Sequence, residues 1–282
     1  MNAPPHPSLE LEPFDVTLRD VRVRYVEGGP RDAPAVVMLH GLGRDHTQWT
    51  ALATALSRSR RVVALDLPGF GSSEPLRTTT SWEALAEAVL DVIAGLELGR
   101  ATWLGHSIGA AAAIVAAADR PEFVERLVLV SPVCYRLPLP LDERALRVPI
   151  LGRSILRRML GARVLERHVG AAPLPAALGL TYRLLEEYGA PSTIEARVPR
   201  VRAPALVIWG REDVVSPWTH GTRLARELAN ARLEILDCGH FPESERPTNV
   251  ESLVRGFLDL PRIATEPSVH GEATRRTSGA VR

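Results

Sequence analysis

The sequence predicts an α/β protein with a mostly parallel central sheet and helices on both faces. Three observations support this prediction: short apolar runs alternate with longer helical patterns, the runs are rich in β-branched residues, and most of them lack a polar face. A strand that is apolar on both faces is typical of a parallel sheet covered by helices on both sides. The alternation is interrupted once, so we expect one α/β core that carries an insertion.

The first part of the core begins with a strand that alternates between apolar and polar residues. Continuous apolar strands follow, separated by helical patterns, and Ser81 is a suitable N-cap for the most amphipathic of these helices. The predicted strands are 21–26, 35–39, 61–65, 102–104 and 127–130, and the predicted helices are 47–56, 82–96 and 108–118.

The pattern after residue 132 is helical and broken by prolines, and the α/β alternation then resumes with strands 205–209 and 233–236 and helices 218–228 and 250–258. The last stretch is rich in Thr, Ser, Gly, Arg and Glu without periodicity, which is typical of a disordered tail. The predicted organisation is a disordered arm at 1–13, an α/β core at 14–132 and 203–260, a helical cap at 133–202 and a disordered tail at 261–282.

Composition and charge exclude several functions. Of the 282 residues, 34 are basic and 33 acidic, and a net charge of +1 argues against a nucleic-acid or membrane-surface binder. All the basic residues are arginines, which excludes a lysine base or Schiff base. Two cysteines, Cys134 and Cys238, are too few for a disulfide framework or a four-cysteine zinc site.

The N-terminal residues lack the basic and apolar segments of a secretory signal, and the apolar runs are too short to span a membrane. We therefore expect no stable membrane insertion and, by default, a cytoplasmic location. The oligomeric state has no signal in the sequence.

The candidate nucleophile is Ser107, which lies in the run Gly105-His106-Ser107-Ile108-Gly109 between a predicted strand and a predicted helix. A serine on such a tight turn has a strained backbone and needs small neighbours, which the two glycines supply. The helix that begins at Ile108 directs its N-terminal amides at the same space, where a negative charge would develop.

A serine hydroxyl needs a base, and the base needs an acid that fixes its tautomer. His240 follows the last predicted strand and is the candidate base, while Asp213 follows strand 205–209 and is the candidate acid. Glu212 competes with Asp213 for this role, whereas Asp237 is interpreted as a turn residue. The chain order Ser107, Asp213, His240 is the order expected for this motif.

The loop His40-Gly41-Leu42-Gly43 directly follows strand 35–39 and can turn a backbone amide towards the nucleophile. The predicted oxyanion donors are the N–H groups of Leu42 and Ile108. A further glycine-rich turn, Asp66 to Ser73, follows strand 61–65.

Together these five motifs resemble those of α/β-hydrolase fold enzymes of the esterase and lipase type. The resemblance covers about 21–260 apart from the insertion, which lies where that family carries its substrate-shaping cap. It implies hydrolysis of a small-molecule carboxylic ester through an acyl-enzyme on Ser107, with no metal or organic cofactor. Dehalogenases and epoxide hydrolases of this fold carry Asp at the nucleophile position, so Ser107 argues against those activities.

Four alternatives share the same motifs. The triad could act on a carbon–carbon bond, although such hydrolases commonly have Asn where this chain has His106. It could act as a thioesterase or amidase, or as a cofactor-free perhydrolase. The chain could also be a non-catalytic protein of this fold that binds a small molecule.

Four residues are candidates for substrate contacts because of their places beside the motifs: His40, Trp49, Cys134 and Trp218. His40 could instead order its loop. The cap segment from Arg136 to Arg202 contains twelve arginines and six acidic residues, an excess that could attract an anionic substrate or remain a solvated helical face.

Overall fold

A computed structural model describes residues 11–76, 81–135 and 194–261. An eight-stranded sheet with the order β1-β2-β4-β3-β5-β6-β7-β8 forms the centre of this part of the chain. Its strands are β1 Glu12–Leu18, β2 Val21–Gly28, β3 Ala35–Leu39, β4 Arg61–Leu65, β5 Ala101–His106, β6 Val124–Val130, β7 Ala205–Gly210 and β8 Ala231–Leu236.

Strands β1 and β2 form an antiparallel hairpin, and β2 pairs antiparallel with β4. From β4 to β8 every neighbouring pair is parallel. The carboxyl ends of β3, β5, β7 and β8 therefore lie at one edge of the sheet. In open parallel sheets this edge is where ligands bind.

Helices cover both faces of the sheet, and each face has its own apolar core. Strands β3 to β7 consist almost entirely of buried residues because helices pack on both sides of them. The helices are α1 Thr50–Leu56, α2 Trp82–Gly95, α3 Ile108–Asp119, α4 Trp218–Glu227, α5 Pro242–Glu245 and α6 Pro247–Leu258, with short 3₁₀ helices at His46–Trp49, Pro121–Phe123 and Glu195–Arg200.

The eight-stranded, mostly parallel sheet confirms the predicted fold class, and the predicted strands and helices of the core are all present. Their ends differ by a few residues. Strand β5 continues through Gly105 to His106, because its ladder with β6 extends to the elbow. The first turn of the helix predicted at 47–56 is a 3₁₀ turn, with Asp45 as its N-cap.

Strand β1 was not among the predicted elements. Glu12 and Pro13 lie in this strand, so the arm predicted for residues 1–13 is too long. Phe14 and every second residue after it are apolar, but the turn to β2 uses Arg19 and Asp20, both with positive φ. Such a turn is normally indicated by Asn-Gly or Asp-Gly, and the absence of the glycine hid the hairpin.

Most of the predicted cap and tail lie outside the described residues, as does most of the predicted arm. Of the cap range, only 133–135 and 194–202 are described, so attraction of an anionic substrate by its arginine excess stays a prediction. In the described ranges, the helices are all too short or too polar to cross a bilayer.

Candidate active site

Ser107 lies between the end of β5 and the start of α3, with a φ of 51° and a ψ of −111°. A residue other than glycine rarely adopts a positive φ. The backbone strain of such a conformation persists only where surrounding contacts hold it. The Ser107 amide donates to the carbonyl of Val130 at 3.0 Å, and its carbonyl accepts from the amide of Ala111 at 3.1 Å. The turn therefore has the strained geometry expected of a nucleophile elbow.

The start of α3 packs directly on the end of β3. A Cβ atom on Gly109 would lie 2.4 Å from the carbonyl oxygen of Leu39 and 2.7 Å from that of His40, so this contact requires glycine. The close approach brings the elbow and the loop after β3 together. The two predicted oxyanion donors, on Leu42 and Ile108, belong to these two segments.

His240 and Asp213 are both buried and joined by a hydrogen bond of 2.8 Å between Nδ1 and Oδ2. The second carboxylate oxygen, Oδ1, accepts from the amides of Val215 at 2.8 Å and Ser216 at 2.9 Å. An ionised carboxylate can only accept, so the proton of this bond is on Nδ1 of His240. Nε2 is then the basic nitrogen of the ring.

The competing acids lie elsewhere. Glu212 is exposed to solvent. Asp237 is also exposed and pairs with Arg211 at 3.1 Å. Neither carboxylate forms a hydrogen bond with His240 in the described residues, and Asp213 alone has the position of an orienting acid.

His106 connects the elbow to the His240 loop. Its Nε2 donates to the carbonyl of His240 at 2.8 Å, and the centroids of the two rings are 4.8 Å apart. Burial, together with the neighbouring His240, holds the pKa of His106 well below its usual value, so this ring is neutral. His240 is thereby fixed beside the residue that precedes Ser107. No hydrogen bond joins Ser107 Oγ to His240 within the described ranges.

The peptide between Gly41 and Leu42 has a fixed orientation. Its carbonyl, on Gly41, accepts from His40 Nδ1 at 2.7 Å and from the amide of Arg44 at 3.2 Å. A trans peptide is planar and its C=O and N–H point in opposite directions, so these two bonds also direct the Leu42 N–H. In the described part of the chain, the amides of Leu42 and Ile108 have no acceptor.

The predicted substrate contact of His40 is wrong. Its ring is completely buried, with Nδ1 bound to the Gly41 carbonyl and Nε2 accepting from the amide of Leu67 at 2.9 Å. No ring nitrogen is left for a ligand. Burial lowers the pKa of His40 to about 4, which keeps it neutral and able to use both nitrogens. His40 orders its loop, which was the other interpretation of this residue.

Trp49 is also completely buried, among apolar residues on the sheet face that α1 and α6 cover, and this placement contradicts its predicted substrate contact. Cys134 is buried at the point where the predicted cap begins, and Trp218 is partly exposed at the start of α4, beneath the guanidinium of Arg211. Contacts of these last two residues with substrate stay predictions.

Asp66 is a structural residue of its turn. It accepts from the amide and from Nδ1 of His46, at 2.8 and 2.7 Å, and from the amide of Ser72 at 2.8 Å. Asp45, His46 and Asp66 have ligand-type atoms within 4.8 Å of one another. Asp45 caps the 3₁₀ helix and Asp66 is occupied by three donors, so these groups already have a structural use.

Three residues near the site were missed by the sequence interpretation. Glu245 accepts from the amides of Gly239 at 2.9 Å and Phe241 at 3.2 Å, and so holds the backbone on both sides of His240. Gln48 and Glu243 form a hydrogen bond across the site at 2.8 Å. The short spacing of Glu245 from His240 could have indicated its role, whereas nothing local pairs Gln48 with Glu243.

Comparison with known proteins agrees with this geometry. The chain is 30% identical over 299 residues to an uncharacterised protein of Mycobacterium tuberculosis, with 93% of this chain and 86% of that protein covered. It is 30% identical over 274 residues to a 2-hydroxy-6-oxononadienedioate/2-hydroxy-6-oxononatrienedioate hydrolase of Burkholderia vietnamiensis, with 85% and 91% covered. Among solved structures, the enol-lactonase from Burkholderia xenovorans is similar with a TM-score of 0.67 and 26% identity, with 86% and 99% covered.

A sequence model described as the alpha/beta hydrolase family matches residues 36–253, which include the elbow, the acid loop and the His240 loop. The strained Ser107, the buried Asp213–His240 pair and strands β4 to β8 lie within these matched residues. This chain belongs to the alpha/beta hydrolase family.

Proposed function

We propose that this hydrolase cleaves a carboxylic ester of a small molecule through an acyl-enzyme. Ser107 is the proposed nucleophile, His240 the base and Asp213 the residue that orients the base. The observation that carries the proposal is the buried hydrogen bond of 2.8 Å between His240 Nδ1 and Asp213 Oδ2, in a loop packed beside the Ser107 elbow. This pairing leaves Nε2 to accept a proton.

In the proposed reaction, Ser107 Oγ attacks the acyl carbon while its proton moves to His240 Nε2. The bond to the alcohol then breaks, and His240 gives that proton to the leaving oxygen. A water molecule, deprotonated by His240, attacks the acyl-enzyme; the acyl bond to Ser107 Oγ breaks, the acid leaves and His240 returns the proton to Oγ. Catalytic hydrogen bonds often shorten only with substrate bound, and we expect the bond from Ser107 to His240 to form at that stage.

The oxyanion of the tetrahedral intermediate needs donors that are already in place before the reaction. The amides of Leu42 and Ile108 are the proposed donors. In support, neither amide has an acceptor among the described residues, and the Leu42 peptide is fixed by the bond from His40 to Gly41. The Ile108 amide is at the N-terminus of α3, where the helix dipole favours negative charge.

A second candidate is cleavage of a carbon–carbon bond by the same residues. The observation that favours it is the 30% identity to the 2-hydroxy-6-oxononadienedioate hydrolase from Burkholderia vietnamiensis. Against it stands His106, since the resemblance would lead us to expect Asn directly before the nucleophile. The similarity to an enol-lactonase, an enzyme named for a lactone and hence for a cyclic ester, favours the first candidate.

The experiment is hydrolysis of p-nitrophenyl esters from acetate to palmitate by the wild type and by Ser107→Ala, with 2-hydroxy-6-oxononadienedioate as the carbon–carbon substrate. We expect ester turnover that falls by roughly a thousandfold or more in the variant, because the nucleophile is lost. Equal turnover by the two proteins would contradict the proposal. Hydrolysis of the carbon–carbon substrate without ester turnover would establish the second candidate.

A further inference from the structure

Gln48 connects two loops of the site that are far apart in the chain. Its Oε1 accepts from the amide of Gly41 at 3.0 Å, and its Nε2 donates to Oε1 of Glu243 at 2.8 Å. Gly41 directly precedes Leu42 in the loop after β3, while Glu243 follows His240 by three residues and lies in α5. One side-chain amide thus joins the proposed oxyanion loop to the loop of the proposed base.

Both ends of this connection are built into the protein interior. Glu243 is only 8% exposed, and its second oxygen, Oε2, is buried without a hydrogen-bond partner among the described residues. A buried carboxyl with an unsatisfied oxygen is unfavourable for folding unless something compensates for it. The triad, the elbow and the proposed donors make no use of Glu243, so the proposed mechanism does not account for it.

The Gly41 backbone is held on both sides, by two hydrogen bonds to its carbonyl and one from its amide. On the carbonyl side, His40 Nδ1 and the Arg44 amide fix the peptide that carries the Leu42 N–H. On the amide side, Gln48 fixes the preceding peptide. Without Gln48, the loop would keep the two carbonyl-side bonds but lose the one that holds the preceding peptide. Gly41, which as a glycine resists backbone rotation least, could then let the loop shift as a unit. Gln48 therefore adds a restraint on the position of the Leu42 N–H.

Gln48 in turn depends on Glu243. A glutamine side chain can rotate about three bonds, and a partner for its Nε2 adds to the Gly41 bond in holding the amide with Oε1 facing Gly41. Glu243 is that partner, and burial raises its pKa to about 7. Both the neutral and the ionised carboxyl have an oxygen that accepts from Nε2, so the connection survives this titration.

We propose that Glu243 is a positioning residue that acts through Gln48 to hold the Gly41–Leu42 backbone in register with His240. This inference rests on the proposed function, because it assigns the Leu42 amide to the oxyanion. It adds that the position of this donor is also restrained from the His240 loop. The two halves of the site are therefore held at a fixed separation by side chains that do not touch the substrate.

The test compares Gln48→Met and Glu243→Met, which keep the side-chain length but remove the hydrogen bonds, with Glu243→Gln, which keeps an acceptor. The control is Glu251→Met, the same change on a half-exposed glutamate of α6. For each protein we would measure kcat and KM on the best p-nitrophenyl ester, the rate of Ser107 labelling by a fluorophosphonate, and the thermal unfolding midpoint. Assays are run well below the lowest midpoint.

We expect kcat and the labelling rate to fall by about tenfold in Gln48→Met and Glu243→Met, with KM changed less than about twofold, because a misdirected oxyanion donor weakens transition-state binding. Complete loss of such a donor costs about a hundredfold or more, so a displaced donor should cost less. Glu243→Gln should recover most of the activity. The double variant should fall no further than either single variant, since both remove the same connection.

Three results would overturn the proposal: kcat and labelling in both methionine variants within twofold of Glu251→Met, an effect on KM alone, or no recovery in Glu243→Gln. If Glu243→Met does not fold, Gln48→Met breaks the same connection and decides the question. Failure of the proposed function is distinguishable, because Ser107→Ala would then keep the ester turnover of the wild type. Failure of this inference alone leaves Ser107→Ala inactive and the other variants active.

Discussion

His240 Nδ1 lies 2.8 Å from Asp213 Oδ2, and the other oxygen of the same carboxylate accepts from two backbone amides. Asp213 is therefore held by its own loop before it contacts the imidazole. Because both side chains are buried, rotation of either would break a hydrogen bond away from water. This arrangement orients the ring rigidly and makes the Asp213 loop part of the site.

Asp213→Asn should keep the fold but reduce kcat on an ester by about 10³–10⁴-fold, because the amide can donate to Nδ1 and stabilise the wrong tautomer of His240. Steady-state kinetics with the best p-nitrophenyl ester measures this. Glu212→Gln is the matched control, since Glu212 is the exposed neighbour of Asp213, and it should leave kcat unchanged. Loss of activity in Glu212→Gln with retention in Asp213→Asn would reverse the assignment of the acid.

Gly109→Ala should destabilise the protein by about 3 kcal/mol, because the new Cβ would overlap the Leu39 and His40 carbonyls and force α3 away from β3. Gly256→Ala is the control in α6, where a Cβ meets nothing within 4 Å. That change should stabilise the protein by about 1 kcal/mol through helix propensity. Urea denaturation of the three proteins checks both values, and equal stability of the two variants would show that the close approach is absent.

Glu243 should make stability decrease as the pH rises from about 4.5 to about 7. Burial raises the pKa of Glu243 to about 7, above the ordinary 4.5, although the Gln48 bond and the Arg44 guanidinium oppose the rise. The folded state then keeps a proton that the unfolded state has lost. The contribution is fully present below pH 4.5 and lost by about pH 7, an effect of about 3 kcal/mol.

Glu243→Gln removes this titration while keeping the volume and the hydrogen-bond acceptor. The difference in unfolding free energy between the variant and the wild type should therefore shift in favour of the variant on going from pH 4.5 to pH 8. Urea denaturation at several pH values measures it. A difference that does not change with pH would mean that Glu243 titrates normally.

Local patterns were sufficient for much of the fold and of the candidate site. The continuous apolar strands, the helix capped by Ser81 and the elbow around Ser107 each depend on a few consecutive residues, and the structure has them where they were expected. The Asp213–His240 hydrogen bond follows from the same reasoning, because each residue comes at the carboxyl end of a parallel strand.

The predicted substrate contacts of His40 and Trp49 disagree with the structure for a common reason. Both residues are near the site in sequence, and nearness suggests contact with a ligand. Their burial is decided by what packs on them: the Leu67 amide binds the ring of His40, and α1 and α6 cover Trp49. Strand β1 was missed because its turn is formed by Arg19 and Asp20, which lack the glycine of the usual hairpin signal.

The sequence by itself determined the class of sheet and the order of Ser107, Asp213 and His240, since strand periodicity and turn motifs are short-range properties. Only the tertiary structure decided that Gln48 bonds Glu243, a contact between residues 195 positions apart. It also decided that His40 is neutral and closed to ligands. The reason is physical: burial and hydrogen bonding between distant segments depend on how the elements pack, and no local pattern encodes that packing.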